Sequence, residues 1–352
     1  MKKLILYMLM LTAAVRLSAQ DESANSQYLV NPYFVNPGAA GMNGLHNFHG
    51  SYRTALTTLP NNPTTYYVSY DGLIGKRVGM GAMLMNDKVA SLNKYKMQLS
   101  YAYNWVASEG LKMGIGLNAE FHQLNLDKKA GDNSFQQPGD PAILAALDGA
   151  QYFDATAGIY GVYKDKLSFG VSVPNLIRAR LNKNTDAEES AFATAFQYFT
   201  ANVGYRFDVK DYDFAVEPSV MVRKSYGSSV ITDLNVKTYF LKNTLMAGGT
   251  LRVIDRETLV GLLLGAKFGA LSLYYNYDVS FQQTQRYHSG AHEFSVGFEF
   301  AGKKKMDAQE EEKKMMTKGS SMLSGPSQSS QQAKLMSSQV SSGPPPSTVV
   351  PM

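Results

Sequence analysis

Leu111-Lys112-Met113-Gly114-Ile115-Gly116-Leu117-Asn118-Ala119-Glu120-Phe121-His122 alternates, residue by residue, between two kinds of side chain. Leu111, Met113, Ile115, Leu117, Ala119 and Phe121 are apolar, and the residues between them are glycine, polar or charged. A β-strand sends successive side chains to opposite faces, so the segment has one greasy face and one wet face. Between Phe48 and Phe300 the unit recurs about fourteen times, roughly ten residues of alternation and then a turn. A soluble sheet also alternates, but its apolar face needs a core partner. Here a leader, an aromatic closing strand and alternating turn lengths accompany the pattern, and together they predict an all-β, transmembrane outer-membrane β-barrel of about 14 antiparallel strands.

The predicted strands lie near 46–56, 64–72, 77–87, 93–106, 111–124, 151–163, 166–176, 196–208, 213–224, 231–241, 245–254, 258–268, 271–280 and 291–300. Met97, Leu99, Tyr101, Tyr103 and Trp105 form one outward row, with Gln98, Ser100 and Asn104 facing in. Only a closed barrel lets such strands face lipid, because an open edge leaves backbone groups unpaired in hydrocarbon. Connections after even strands are short, as at Lys164-Asp165 and Gly269-Ala270, whereas 127–150, 177–195 and 281–290 follow odd strands. Bacterial barrels keep short turns in the periplasm, so an even strand count predicts that both chain ends are periplasmic. The closing strand Ala291–Phe300 carries Phe294, Val296, Phe298 and Phe300 on the lipid side, like the signal read by the barrel-insertion machinery.

Four regions follow. Residues 1–19, with Lys2, Lys3, an apolar run and Leu17-Ser18-Ala19, read as a secretory signal peptide. Residues 20–45 carry Asn31-Pro32, Asn36-Pro37, Gly38 and Gly41, turn signals that predict an irregular segment at the periplasmic mouth or a plug inside the lumen. Residues 46–300 form the barrel. Residues 301–352 begin with a mixed-charge run and continue rich in Ser, Gln and Pro, too polar to bury a core. This tail is expected to be disordered and periplasmic, with a reach near 40 Å by the rule of about 5–6 Å × √n. Its charged run, with Lys303, Lys304, Lys305, Glu310, Glu311 and Glu312, is the candidate partner-binding element.

Cysteine is absent, which removes disulfides, thiol catalysis, zinc–thiolate sites and a lipidated N-terminal cysteine. The net charge of +5 is spread out, with no basic stripe interleaved with aromatics, so nothing points to nucleic acid. His46 and His49 have opposite strand parity and cannot chelate together. His288 and His292 with Glu293 are the one acid/base set to weigh, and His292 and Glu293 also alternate in parity. No catalytic, cofactor-binding or metal-binding residues are assigned. Gly79-Met80-Gly81 and Gly114-Ile115-Gly116 lie inside alternating strands with no helix after them, so they read as close packing at the lumen wall or barrel bending, not as phosphate loops. The inward charges Glu120, Arg206, Asp208, Glu217, Arg223, Lys237, Arg252 and Asp278 either set pore selectivity or pair with one another and with a plug; their mixed signs favour pairing.

Ser26-Gln27-Tyr28-Leu29-Val30-Asn31-Pro32 followed by Val35-Asn36-Pro37-Gly38-Ala39-Ala40-Gly41 resembles the opening of the PorP/SprF family. The likeness continues through Tyr52-Arg53, Asp140-Pro141, Ser172-Val173-Pro174-Asn175-Leu176, Gly204-Tyr205-Arg206-Phe207, Glu217-Pro218-Ser219, Leu251-Arg252 and His292-Glu293. Thr54-Ala55 departs from the family pattern, as does the long tail. Gln27, Tyr28, Asn31, Pro32, Asn36 and Pro37 carry the motif and are the plug candidates. The resemblance implies an outer-membrane protein of the type IX secretion and gliding systems of Bacteroidota, with no known catalytic activity and no cofactor. It implies as partners the surrounding outer-membrane lipid, the periplasmic ring with a peptidoglycan-binding OmpA-like protein, or one large surface adhesin. A diffusion porin or small-solute transporter is the alternative, and a barrel hydrolase using His288, His292 and Glu293 is a third.

Overall fold

The structure is a computed structural model and describes residues 26–55, 62–89, 92–126, 150–177, 179–180, 198–209, 213–224, 230–254, 257–280 and 290–301. Fourteen wall strands follow the predicted alternation. They are β1 (Leu45–Ala55), β2 (Thr64–Ile74), β3 (Val78–Val89), β4 (Leu92–Ser108), β5 (Leu111–Leu126), β6 (Ala150–Tyr163) and β7 (Leu167–Val173). The second half is β8 (Phe199–Tyr205, resuming at Phe207–Val209), β9 (Phe214–Lys224), β10 (Ile231–Phe240), β11 (Leu245–Ile254), β12 (Glu257–Phe268), β13 (Leu271–Ser280) and β14 (Ala291–Ala301).

Each strand pairs antiparallel with its chain neighbours, and β14 pairs with β1 from Leu45 opposite Ala301 to Ala55 opposite Ala291. The ring is closed. Backbone groups that an edge would leave bare in hydrocarbon are therefore paired.

Outward and inward faces obey the parity. Leu99, Leu117, Leu262, Phe268 and Phe294 are exposed on the outside. Gln98, Ser100, Asn118, Glu120, Asn235 and Asp278 are buried inside. Outward rings pack on one another across strands at both ends of the wall, as with Phe48, Tyr70 and Phe300 at one end and Tyr52 with Tyr66 at the other. Such rings suit the two interfaces of a bilayer.

Local chemistry explains where the strands differ from prediction. β7 ends at Val173, three residues before the predicted limit, because Pro174 follows and Asn175 takes a positive φ of 57°. Past this bend the chain rejoins β6, with Leu176 N–H donating to Ala155 O at 2.9 Å and Ala179–Arg180 pairing with Phe153 and Tyr152. β8 is interrupted at Arg206, although its register with β9 does not slip between Gly204 opposite Ser219 and Phe207 opposite Val216. Pro218 on β9 falls within that gap and has no N–H to give the ladder.

The turns after even strands are short, among them Lys164–Lys166 and Gly269–Ala270. Leu45 and Ala301 share this short-turn rim. Ser26 does not. It stands level with Asn276 and Glu293, near the opposite rim, so the described chain begins at one end of the barrel and finishes at the other. The residues before Ser26 lie outside the described residues.

A charge on the outer face separates this architecture from a soluble sheet. Leu99→Arg, at a position 67% exposed to lipid, is expected to cost about 2–4 kcal/mol of folding free energy into bilayers. Asn118→Ser on the inner face is expected to cost far less. Urea titration of barrels folded into lipid vesicles measures both.

Candidate functional site

The N-terminal segment lies inside the ring, and it is regular where irregular structure was expected. Gln27–Leu29, Pro32–Phe34 and Pro37–Ala39 are one-turn 3₁₀ helices. They repeat every five residues with the same bonds. Leu29 N donates to Ser26 O, Phe34 N to Asn31 O and Ala39 N to Asn36 O, each at 3.1 Å. Proline at the first helical position of the last two turns costs nothing, since its missing N–H has no partner there.

Each repeat opens on a polar residue that reaches the wall. Ser26 N donates to Glu293 Oε2 at 3.2 Å. Asn31 Nδ2 donates to Ser69 Oγ at 3.3 Å. Asn36 Nδ2 donates to Ile159 O at 2.9 Å and Val171 O at 3.3 Å, while its Oδ1 accepts from Gly38 N at 2.9 Å. Gln27 has the densest set: its Nε2 donates to Glu293, Ser295 and Ser51, and its Oε1 accepts from Tyr67 OH at 3.0 Å. Tyr28 donates to Asp233 at 2.8 Å, and Tyr33 bonds Ser100 at 2.7 Å. Both tyrosines are buried between the segment and the wall. Pro32 and Pro37 make no such bonds and serve the turns.

Three charge groups anchor the segment. Glu293, 1% exposed, accepts from Arg53 at 3.1 Å, and Arg53 also holds Asp278 at 2.8 Å. Asp233, fully buried beside Tyr28, takes Arg252 at 2.8 Å and Arg223 at 3.1 Å. The first group has one cation for two anions and the second the reverse, so together they balance. Lys237 bridges Glu217 at 2.8 Å and the Leu29 carbonyl at 2.9 Å. Of the inward charges singled out in the sequence, Asp278, Arg223, Arg252, Lys237 and Glu217 belong to these groups. Glu120 pairs elsewhere on the wall with Lys96 at 3.0 Å and His122 at 3.1 Å, and Arg206 and Asp208 pair with each other at the short-turn rim.

The wall is shaped to receive the segment. A Cβ on Gly79 would lie 2.0 Å from Ala40 O, on Gly114 2.2 Å from Gly38 O, and on Gly116 2.4 Å from Pro37 C. Gly158 and Gly170 frame the Asn36 amide in the same way. These inward glycines are where main chain lies on main chain, the close packing that the two GxG stretches predicted. Opposite them the polar pattern breaks: Met221, Met246 and Leu263 point inward and pack on Tyr28 and Leu29.

The acid/base candidates do not converge. His292 faces out, bonded to Tyr275 OH at 2.8 Å, whereas Glu293 faces in. His46 bonds Tyr70 OH at 2.8 Å on the outer side, while His49 is buried on the inner one. Among the described residues no three His, Asp or Glu side chains gather as a metal would require. His288 and the tail candidates Lys303, Lys304, Lys305, Glu310, Glu311 and Glu312 lie outside the described residues. Sequence reading passed over Asp233 and the anchoring role of Arg53. Their signal was available: Asp233, Asn235 and Lys237 form a polar run on the inward parity of β10.

A closed ring with an apolar exterior, aromatic ends and a polar-lined interior defines an integral outer-membrane β-barrel. Within that class, residues 17–298 match the family described as type IX secretion system membrane protein PorP/SprF, and the chain belongs to that family. Among solved structures it is similar to the CymD monoaromatic hydrocarbon channel, at 12% identity and a TM-score of 0.47 over 80% of this chain and 94% of that one. It is similar to the Ralstonia pickettii toluene transporter TbuX, at 12% identity and 0.48 over 79% and 94%. It is also similar to the Acinetobacter baumannii outer membrane protein Omp33, at 9% identity and 0.43 over 75% and 100%. A search of curated proteins found no match.

The seat for Asn36 gives a direct test. Gly158→Val, whose side chain would enter the space of Asn36 Oδ1, is expected to destabilise by about 1–3 kcal/mol and expel the segment. Gly249→Ala, whose nearest neighbour is 4.0 Å away, is expected to be silent. Limited proteolysis of the folded barrel reads the difference, with cleavage within 26–44 only in the valine variant.

Proposed function

We propose that this protein is a non-catalytic, non-conducting docking barrel of the type IX secretion and gliding machinery, closed by its own N-terminal segment. The observation that carries the reading is the seating of that segment. Its backbone fits inward glycines, its polar residues pair with buried wall charges, and its tyrosine and leucine cover Met221, Met246 and Leu263. Removing it would bare an apolar patch to water and leave Glu293 and Asp233 short of partners, which suits a permanent plug better than a gate. Family membership supports a secretion component, and the separation of His292 from Glu293 gives no support to hydrolysis. A diffusion porin is the second reading, and the plugged lumen counts against it.

In this reading residues 1–19 are a cleaved signal peptide and the short turns face the periplasm. The 301–352 tail then starts at the periplasmic rim, and its charged run from Lys303 is the binding element for ring or OmpA-like peptidoglycan-bound components. A large surface adhesin is the candidate partner at the long-connection end.

Purified barrel in planar bilayers is expected to show no steady conductance, and removal of residues 26–42 to open one. Steady nanosiemens-scale channels from the intact protein would sink the plug reading. Gene deletion is expected to abolish either secretion of proteins bearing type IX C-terminal signals or display of one adhesin. Truncation after Gly302 is expected to leave the barrel inserted but to lose partner capture; normal capture and secretion would reduce the tail to a spacer.

A further inference from the structure

Among the described residues the short-turn rim carries more cations than carboxylates, for outside its ion pairs Glu109 and Asp213 are the exposed acids against four exposed bases. Lys112 pairs with Asp165 at 3.0 Å, Lys166 and Arg206 share Asp208, and Lys267 pairs with Glu299. Lys76, Arg77, Lys164 and Lys242 are exposed and have no carboxylate partner among the described residues. They occupy the turns β2–β3, β6–β7 and β10–β11, every second short turn, so they are distributed around the ring.

Two of these cations lean outward onto tyrosines of the lipid-facing surface. The Arg77 guanidinium lies 6.0 Å from the Tyr103 ring centroid, and its Nη1 donates to the Tyr103 hydroxyl at 2.7 Å. Lys164 Nζ lies 5.2 Å from the centroid of Tyr163. Gly110, at a φ of 77°, makes room for the Lys164 stem, since a Cβ there would meet Lys164 Cγ at 2.9 Å. The third turn holds Leu241, Lys242 and Asn243 all at positive φ, with Leu241 63% exposed beside the lysine. A bulky residue rarely adopts that backbone, and the result is an apolar side chain and a cation presented together at the rim.

We propose that this rim is a binding belt for the phosphate headgroups of anionic phospholipids, taken by Arg77, Lys164 and Lys242 with Lys76 beside them. A cation seated on an outward tyrosine stands at the height where hydrocarbon gives way to headgroup, with its stem in the apolar layer and its charge in the polar one. The all-round spacing fits a lipid leaflet that surrounds the barrel. A docked acidic protein would call for cations gathered on one side. The pairing Lys112–Asp165 leaves those charges spent, so the binding power rests with the unpaired set.

The test uses full-length barrel in detergent, titrated with phosphatidylglycerol or phosphatidylcholine and read by native mass spectrometry. The intact protein is expected to retain phosphatidylglycerol about tenfold more strongly than phosphatidylcholine. The combined variant Lys76→Gln, Arg77→Gln, Lys164→Gln, Lys242→Gln is expected to lose that preference, and Lys112→Gln with Asp165→Asn to keep it. Heat-modifiable gel migration reports folding of each. Should the fourfold variant fail to fold, salt decides on the intact protein, whose preference must fall as sodium chloride rises. An intact protein without preference, a preference indifferent to salt, or a folded fourfold variant that keeps it overturns the proposal. So does a fourfold variant that keeps its lipid but loses capture of an acidic periplasmic protein, which would make the rim a protein interface.

Discussion

The pairing of β14 with β1 is the constraint on which everything else rests. A strand in hydrocarbon has no water to bond its peptide groups, so a sheet there survives only as a ring. Eleven residue pairs, from Leu45 opposite Ala301 to Ala55 opposite Ala291, close it. Closure sorts every side chain by parity, lipid or lumen. That sorting is why Glu293 and His292, adjacent in the chain, live in different solvents. It also creates an enclosed space that needs its own solution.

That solution is a second core, and its chemistry is mixed. On one side of the lumen, main chain lies on glycine, where the smallest residue permits close approach. On another, Met221, Met246 and Leu263 form an apolar patch under Tyr28 and Leu29. Between them the carboxylates of Glu293 and Asp233 meet both wall arginines and the segment's own donors. Burying a charge is tolerable only when it is paired and hydrogen-bonded, and here the segment supplies part of each set. Wall and segment are therefore one packing unit, each incomplete without the other.

The barrel was legible in the sequence because parity is a local property. Val171 and Ser172 declare opposite faces without reference to anything distant. The strand ends were less legible where one residue decides them, as at Pro174 with Asn175, or across a strand pair, as at Pro218 opposite β8. The segment was read as turn-forming from Asn31-Pro32 and Asn36-Pro37, yet its repeat of five was missed. The wall residues it needs, Asp233 on β10 and Ser100 on β4, lie far away in sequence. Parity could say that Asp233 faces inward, but not that Tyr28 would meet it. The inward methionines were the other misfit, since alternation alone takes an inward position to be polar.

The axial course of the segment has a consequence for assembly. Ser26 lies toward one rim and Gly44 leads into β1 at the other, with the ring wrapped around the stretch between. A closed ring cannot be entered sideways, and the segment is tied to β1, one of the two strands that meet at the seam. The simplest order is that the strands accumulate along a chain whose leading end already lies across the concave face. The last strand then fastens over it like a clasp. In that order the glycine seats act as a template while the sheet is still open, and the segment is an internal mandrel on which the curvature of the wall is set.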